Sequence, residues 1–357
     1  MPNSALGLTY NSYKSDPTLT ANMQIWLKDR AVDQVFNGVA LFRYLTGRDQ
    51  KEMSLDQIKA SGALDLRDGG QSIDVPLLTA ANSTVQSYHN YQTVATTPQA
   101  GIGPAFVNWR EYAATVTISK YEELTNMDTK SRVIKLLQTK QMQTEKSLID
   151  RFNKDLWKGD QSQASLAKSF STDVDGIPYW IEEDPTSSTN VGAIDRSAES
   201  FWRNQFNGTS QVVTATNPSF AAEGKNDIQL YVMESSGGIG FDEIDCLFTT
   251  KTIYNYLWDS LEDMRRYTSS ESGDAGFRRL AFQGIPVKWD DALSARQNVY
   301  GLNSKYLNMV VHRDAFMSTE GFQKPTNQTA KTSIIMMMWN LVCTNPRRQF
   351  VLSNWAA

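Results

Sequence analysis

Apolar side chains first recur at helical spacing near the N-terminus. After an opening polar stretch, Thr20 can cap a helix whose apolar positions are Met23, Trp26, Leu27, Val32, Val35 and Phe36. Turn signals at residues 44–47 and 68–70 then lead into a predicted strand over residues 72–78. The N-terminal part of the chain is therefore predicted to form a helix followed by a strand.

The longest helical pattern spans residues 128–157, with Asn126 or Asp128 as its cap and Gly159 as its stop. Apolar side chains form one patch at each end, namely Val133, Ile134 and Leu137, and then Leu148, Phe152 and Leu156. Between the patches Met142 is the only apolar side chain, and the heptad pattern of a coiled coil does not persist. We therefore expect a single spine helix that packs at both ends and crosses a surface at its middle.

The C-terminal half mixes strand and helix patterns without regular alternation. Ile228, Leu230 and Val232 alternate along the chain, which predicts a strand, and residues 250–267 form an amphipathic helical pattern. Further strands are predicted within residues 244–248, 282–287, 306–312 and 334–343, and the last of these forms a final hairpin with residues 349–352. This mixture predicts an α+β fold, and 357 residues favour two subdomains.

Residues 75–109 contain no Asp, Glu, Lys or Arg and are rich in Thr, Asn, Gln, Ser and Tyr. Residues 114–119 have the β-branched content of a strand that returns from this stretch and pairs with residues 72–78. The whole then forms one long β-hairpin. Contact with a partner favours such a surface, because amides and hydroxyls are easier to desolvate than ions. The alternative is a solvated polar loop.

Composition narrows the classes of function. A formal net charge of −4 argues against a dedicated nucleic-acid binder, although it leaves room for local contact with nucleic acid. The longest apolar run, residues 334–339, is too short to span a bilayer, and no N-terminal run resembles a signal peptide, so we expect a cytoplasmic site of synthesis. Cys246 and Cys343 lie in apolar runs without metal-ligand spacing, which predicts buried, reduced thiols.

Few residues suit catalysis. His89 and His312 are the only histidines, so the chain offers no His-rich metal set and little choice of general base. The triplet His312-Arg313-Asp314 matches a kinase catalytic loop, but the other kinase motifs are missing. Residues 173–176 and 237–240 read as turns, because they lack the spacing of a calcium loop and of a phosphate loop. We predict no catalytic, cofactor or metal site and no enzyme activity.

Several local sequences, in this order along the chain, resemble those of a known family. They are the Gly-Ile-Pro turn at residues 176–178, the Gly-x-Ile-Asp-Arg…Phe-Trp-Arg-Asn segment at residues 192–204, Phe-Gln-Gly-Ile-Pro-Val at residues 282–287, and the closing run at residues 340–349. Together with the arm, hairpin and spine helix, they resemble the major capsid protein of tailed bacteriophages, which has the Hong Kong 97-type fold.

The resemblance implies a division of the chain into five segments. They are an N-terminal arm and helix (residues 1–64), an extended hairpin or E-loop (65–120), a P-domain (121–224) with the spine helix at 128–157, an A-domain (225–330), and a C-terminal hairpin that returns to the P-domain (331–357).

The resemblance also implies a structural function. Copies of the chain would form pentamers and hexamers of an icosahedral shell, assembled in the host cytoplasm and enclosing double-stranded DNA non-specifically in the virion. A separate scaffolding protein and a portal are implied as partners, with room for a decoration protein and no role for a membrane. No Lys lies between Lys59 and Lys120, so the isopeptide cross-link of some family members is not expected. An encapsulin-like bacterial compartment and a soluble α+β enzyme stay open as alternatives.

Three groups of residues are predicted to make intersubunit contacts. In the hairpin they are Val85, Tyr88, Tyr91, Phe106 and Trp109, and on the spine helix they are Gln138, Gln141, Met142 and Glu145. Paired arginines could meet acidic groups on a neighbour or DNA phosphates, and these are Arg265, Arg266, Arg278, Arg279, Arg347 and Arg348. The alternative for the arginines is solvated charge, balanced by the acidic residues interleaved with them.

Overall fold

The computed structural model describes residues 40–46, 64–98, 101–125, 130–158, 173–186, 190–207, 220–238, 240–265, 280–293, 298–316 and 318–353. The predicted helix after Thr20 lies outside these residues. Six helices are described: α1 (Ala40–Leu45), α2 (Lys120–Thr125), α3 (Lys130–Leu156), α4 (Ile177–Trp180), α5 (Phe220–Ser235) and α6 (Lys251–Arg265). None of these described helices is long and apolar enough to cross a membrane.

Fifteen strands are described, and the predicted α+β class is confirmed. They are β1 (Asp65–Arg67), β2 (Ile73–Leu78), β3 (Ile102–Val107), β4 (Arg110–Ser119), β5 (Asn190–Val191), β6 (Ile194–Asp195), β7 (Gln205–Phe206), β8 (Cys246–Thr249), β9 (Leu280–Phe282), β10 (Ile285–Trp289), β11 (Val299–Leu302), β12 (Leu307–His312), β13 (Ser318–Thr319), β14 (Ala330–Cys343) and β15 (Phe350–Leu352).

The first large sheet is organised around β14. Strands run in the order β1-β12-β14-β13, and β4 pairs with β14 in antiparallel register from Arg110 opposite Trp339 to Ser119 opposite Ala330. The C-terminal end of α3 packs onto this sheet, where Leu148, Phe152 and Leu156 are buried. The spine helix and its C-terminal apolar patch are therefore confirmed, whereas the side chains of the N-terminal patch lie outside the described residues.

The second large sheet has the order β7-β15-β11-β8-β10-β9. Helices α5 and α6 supply Ile228, Tyr231, Ile253 and Leu257 to a separate apolar cluster with this sheet. The predicted strands near residues 244–248 and 282–287 and the predicted helix at 250–267 are confirmed as β8, β10 and α6. The two clusters are separate groups of buried side chains, while the boundaries of the five predicted segments stay predictions.

The predicted partner of the hairpin's first strand is wrong. Strand β2 pairs with β3, from Ile73 opposite Val107 to Leu78 opposite Ile102, whereas residues 114–119 belong to β4 and pair with β14. The sequence pattern did not predict β3 because Gly103 and Pro104 belong to residue types that are rare inside strands. Pro104 is tolerated because, in a sheet of two strands, each strand has one edge that no other strand pairs with.

The predicted strand at residues 228–232 is also wrong, because these residues belong to α5. Ile228, Tyr231 and Ser235 are buried at helical spacing, whereas Leu230 and Met233 are exposed on the opposite face. The apparent alternation of Ile228, Leu230 and Val232 covers too few residues to distinguish a strand from a helix. The spacing of the buried residues, three and four apart, identifies the segment as a helix.

The predicted final hairpin needs a correction too, since β14 and β15 exist but do not pair with each other. A short 3₁₀ turn, Pro346–Arg348, separates them, and β15 joins the second sheet beside β11. The buried amide of Gln349 exchanges hydrogen bonds with the backbone of Asn303, at 2.7 and 3.1 Å. These two hydrogen bonds hold the chain against the second sheet immediately before β15 begins.

Candidate functional site: an exposed hairpin tip on buried strands

The hairpin tip, residues 81–98, is exposed along almost its whole length, and only Thr84 is half-buried. Tyr91 exposes 95% of its surface and Val85 exposes 81%, and Tyr88 is exposed as well. Local hydrogen bonds shape the backbone, such as the bond from Thr84 N to Asn82 Oδ1 at 2.9 Å and the bond from Gln86 Nε2 to Thr93 O at 3.2 Å. The tip therefore presents neutral polar and aromatic groups to its surroundings and adds nothing to either apolar cluster.

The hairpin strands β2 and β3 have two faces of different character. Their inner face is buried in the first apolar cluster, and it consists of Ile73, Val75, Leu77, Ala105 and Val107. On the outer face Leu78, Ile102 and Phe106 are exposed, the first two by 81% and 80%. One face of the hairpin thus packs against the rest of its own chain, and the opposite, apolar face is exposed.

A support segment, residues 190–204, lies against the inner face of β3. The amide of Phe106 donates to the carbonyl oxygen of Gly192 at 3.0 Å. Gly192 has a φ of +60° in the turn between β5 and β6, and a Cβ there would lie 3.4 Å from the Cβ of Ala105. Because this hydrogen bond and van der Waals contact join the turn to the strand, the position of β3 depends on the shape of the support segment.

Two tryptophans fix the support segment. The indole of Trp202 donates to Val191 O at 2.9 Å, and the indole of Trp180 donates to Leu341 O at 3.1 Å. The two rings meet edge to face with centroids 6.2 Å apart. A buried polar tryptophan nitrogen needs an acceptor, so these bonds select one orientation for each ring.

Buried polar groups complete the segment. Arg196 is fully buried, donates to Trp180 O, and lies 3.6 Å from the carboxylate of Glu182. Burial lowers the pKa of Arg196 to about 10, so the group stays protonated at neutral pH. The side chain of Asn204 bonds both the amide and the carbonyl of Glu182, at 3.0 and 2.8 Å. The motif residues of this segment thus act inside the chain, as the support of the hairpin.

The middle of the spine helix crosses the edge of the first sheet. Lys140 contacts Glu122 at 2.7 Å and donates to Thr117 O at 3.1 Å, and its hydrogen bond lowers the pKa of Glu122. Of the predicted contact residues on this helix, Gln141 and Glu145 are half-buried and Met142 is exposed. The side chain of Gln138 lies outside the described residues. Met142 is therefore accessible on a helix that Lys140, two residues away, anchors to the sheet.

Polar contacts anchor the end of the spine helix. Tyr112 on β4 donates to Asp155 Oδ2 at 2.9 Å and accepts a hydrogen bond from Val174 N at 3.0 Å. Asp175 binds Arg110 at 3.0 Å and Asn340 at 2.7 Å, and its burial raises its pKa against the attraction of Arg110. These contacts join α3, β4 and β14 into one support under the hairpin.

The predicted arginine contacts divide into different environments. Arg347 is exposed, whereas Arg348 donates to Ser235 O at 3.1 Å and lies 3.9 Å from Asp242. Arg348 therefore caps the C-terminus of α5 within its own chain, a role that the sequence does not reveal because the acceptor is a backbone carbonyl. The side chain of Arg265 and all of Arg266, Arg278 and Arg279 lie outside the described residues.

No family model and no curated protein matches the sequence. The structure, however, is similar to the capsid asymmetric unit of cyanophage A-1(L), with a TM-score of 0.58 and 13% identity, over 92% of this chain and 97% of that chain. The capsid structure of cyanophage P-SCSP1u gives a TM-score of 0.52 and 14% identity over 99% and 98% of the two chains. The capsid of a native GTA particle gives 0.50 and 11% over 93% and 96%.

The chain has a phage capsid fold. The Hong Kong 97-type fold predicted from the order of its elements is confirmed, because these likenesses extend over nearly the whole length of each chain. At such low identity the likeness establishes the fold and transfers no residue role.

Within this capsid fold, the predicted hairpin contacts do not all lie together. Val85, Tyr88 and Tyr91 are in the tip, Phe106 is on the outer face of β3, and Trp109 is half-buried where the chain leaves the hairpin. Leu78 and Ile102 are exposed apolar residues that the predicted contacts did not include. The alternation of Ile73, Val75 and Leu77 was the signal that could have identified the opposite, outward face.

The described residues contain no cluster suited to metal chemistry. No group of three or more His, Cys, Asp or Glu side chains within them could hold a metal ion. Of the two histidines, His89 lies in the exposed tip and His312 lies at the end of β12.

Proposed function

We propose that this protein is the major capsid protein of a tailed bacteriophage, whose copies assemble into an icosahedral shell around double-stranded DNA. The observation that carries the proposal is the exposed, uncharged hairpin tip on a chain with a phage capsid fold. The proposed function is structural, and the protein is proposed to have no catalytic activity.

The physical argument for assembly is that the hairpin is incomplete by itself. A two-stranded ribbon has too few contacts to be stable alone in water, and here only the inner face of the strands is covered. Burial of apolar surface contributes about 25 cal/mol per Å², so a neighbour that covers the outer face and the tip supplies the stabilisation that the lone subunit lacks. We propose that this neighbour is a second copy of the chain.

Assembly can then rest on many modest contacts. Tyr88 and Tyr91 provide large neutral surfaces in the tip, and Met142 provides an apolar group on the spine helix. Each contact is small, but a closed symmetric array repeats it at every subunit and makes the contacts mutually dependent. The exposed Arg347 and the arginines outside the described residues are proposed to meet acidic groups of neighbours or DNA phosphates.

The proposal includes partners and locations. Pentamers and hexamers of this chain would assemble in the host cytoplasm with a separate scaffolding protein and a portal, and would accept a decoration protein on the finished virion. Within each subunit, the hairpin would serve as the E-loop and α3 as the spine of the P-domain. DNA contact would be non-specific and limited to local clusters of positive side chains, because a net charge of −4 argues against a dedicated nucleic-acid binder.

Electron microscopy of the purified protein tests the proposal, first alone and then with the products of neighbouring phage genes. Closed shells, tubes or rings of capsomer size are expected. A monodisperse monomer under every condition would instead favour the soluble enzyme alternative. Particles purified from producing cells should contain nuclease-resistant double-stranded DNA. Protein cargo without DNA would favour the encapsulin-like compartment.

A further inference from the structure

The hairpin base consists of the two segments by which the chain enters and leaves the hairpin, residues 68–72 and residues 108–109. Gly69 and Gly70 have φ values of +121° and +119°, which only glycine adopts readily. On the return, the carbonyl of Asn108 accepts a hydrogen bond from Asn340 Nδ2 at 2.7 Å. These short segments set the direction in which the whole hairpin points.

Trp109 links the two segments of the base. Its Nε1 donates to Gly70 O at 3.1 Å, so the side chain on the return segment holds the backbone of the entry segment. Its ring also meets the ring of His312 edge to face, with centroids 5.9 Å apart and an angle of 69°. One side chain thus joins both ends of the hairpin to the end of β12.

His312 is itself held in one orientation. Its Nδ1 accepts a hydrogen bond from Asp314 N at 3.2 Å, which fixes the plane of the imidazole ring. The entry segment packs flush against the ring, since a Cβ added to Gly69 would lie 3.3 Å from His312 Nε2. An exposed ion pair between Arg313 and Asp68, at 2.7 Å, also joins β12 to this segment, but such pairs contribute little.

We propose that Trp109 and His312 are positioning residues that hold the hairpin at a fixed angle on the subunit before it meets a neighbour. Trp109 then acts within its own chain, which differs from the intersubunit contact predicted from the sequence. A fixed hairpin loses less conformational freedom on association than a swinging one, so the arrangement favours assembly without a contact to the neighbour. The inference rests on the proposed function, but the angle itself is a property of the single subunit.

Hydrogen exchange on the unassembled subunit tests this inference. Trp109→Ala removes both the donor to Gly70 and the ring contact, and should speed exchange of the amides in β2 and β3 about tenfold. Trp109→Phe keeps an aromatic edge but loses the indole N–H that donates to Gly70 O, and should speed exchange of the same amides about threefold. Amides of β14 should not change. Phe322→Ala removes an exposed aromatic residue elsewhere on the surface and serves as the matched control, with no change expected in the hairpin.

Two outcomes would overturn the inference. Unchanged exchange in the hairpin of Trp109→Ala would mean that the ring holds nothing, and an equal rise throughout the subunit would mean that Trp109 supports the whole fold. If Trp109→Ala does not fold, exchange is measured instead in Trp109→Phe and His312→Gln. The inference is overturned if exchange of the β2 and β3 amides rises less than twofold in both variants. Failure of the wild-type chain to form particles would overturn the proposed function, whereas the exchange result would still decide the role of Trp109.

Discussion

Tyr91 in the hairpin tip exposes 95% of its surface, whereas Ala105 in the return strand of the same hairpin exposes none. Both residues belong to one stretch of sequence, residues 75–109, which lacks charged side chains throughout. The strands lack charge on their inner face because that face is buried against the support segment and the first sheet. The tip lacks charge although it is exposed to its surroundings.

The difference teaches that one compositional signal can have two physical causes. Burial inside the chain explains the absence of charge on the inner face, and it makes that part of the hairpin sensitive to mutation. Burial against a neighbour is the cause that we propose for the tip, and it predicts that the isolated subunit tolerates almost any change there. Mutations that separate folding from assembly therefore test the comparison directly.

Deletion of residues 83–99 should have the largest effect on assembly. The tip adds no side chain to either apolar cluster, so the melting temperature of the subunit should stay within about 2 °C of wild type. Shells should be absent by electron microscopy, because each hairpin loses the surface that we propose it presents to a neighbour. A short Gly-Ser linker between residues 82 and 100 can bridge the strand ends, where Thr79 N already bonds to Gly101 O at 2.8 Å.

The control for the deletion is a chain in which residues 83–99 are replaced by a shuffled segment of the same composition. Loss of shells in both variants shows that the particular arrangement of the tip matters, whereas shells from the shuffled chain alone show that its composition suffices. Wild-type particle yield from the deletion would contradict the role of the tip.

Trp202→Ala should have the largest effect on folding. Trp202 is buried beneath the hairpin strands and its indole donates to Val191 O, so truncation leaves a cavity and removes a buried hydrogen bond. We expect a loss of about 3–5 kcal/mol in the free energy of unfolding, measured by urea denaturation. Tyr88→Ala in the tip is the matched control and should change it by less than about 0.5 kcal/mol. Equal losses of unfolding free energy in the two variants would contradict the claim that the support of the strands, but not the tip, stabilises the folded subunit.

The parts of the fold that could be predicted from the sequence are those with a local signal. The spine helix carries caps and apolar patches over many turns, so its bounds differ from Lys130–Leu156 by only a few residues. Strand β8 and helix α6 likewise follow their apolar patterns. The uncharged tip was visible because its composition changes abruptly along the chain.

The parts that could not be predicted depend on partners far away in sequence. Residues 114–119 have the composition of a strand, but their partner, β14, begins more than two hundred residues later. The role of Arg348 depends on the carbonyl of Ser235, and that of Trp109 depends on the carbonyl of Gly70. Backbone acceptors have no residue-type signature, so pattern analysis assigns such side chains to the surface.

Gly192→Ala should have a smaller effect, confined to the support of the hairpin. The φ of +60° at this position disfavours a residue with a Cβ by roughly 1 kcal/mol, while the nearest side-chain atoms leave ordinary contact distances. Urea denaturation should detect that loss. Gly103→Ala in β3, where a Cβ would lie 3.7 Å from the Thr79 methyl group, is the control and should be close to neutral. A larger loss at Gly103 than at Gly192 would contradict this account of the support segment.

Tyr91→Cys should leave the stability of the subunit unchanged. The new thiol then measures how accessible the hairpin tip is, both in the free subunit and in assembled particles. The native thiols, Cys246 and Cys343, are buried, and burial raises the pKa of Cys343 to about 12. Both native thiols are inaccessible to a maleimide because they are buried, and Cys343 also stays protonated at pH 8. Only the new thiol should therefore react, at one label per chain. In assembled particles the same thiol should react at least tenfold more slowly if the neighbour covers the tip. Equal rates in subunit and particle would mean that shells form without burying Tyr91, and would move the proposed contact to the outer face of the strands, where Leu78 and Ile102 are the next apolar groups to test.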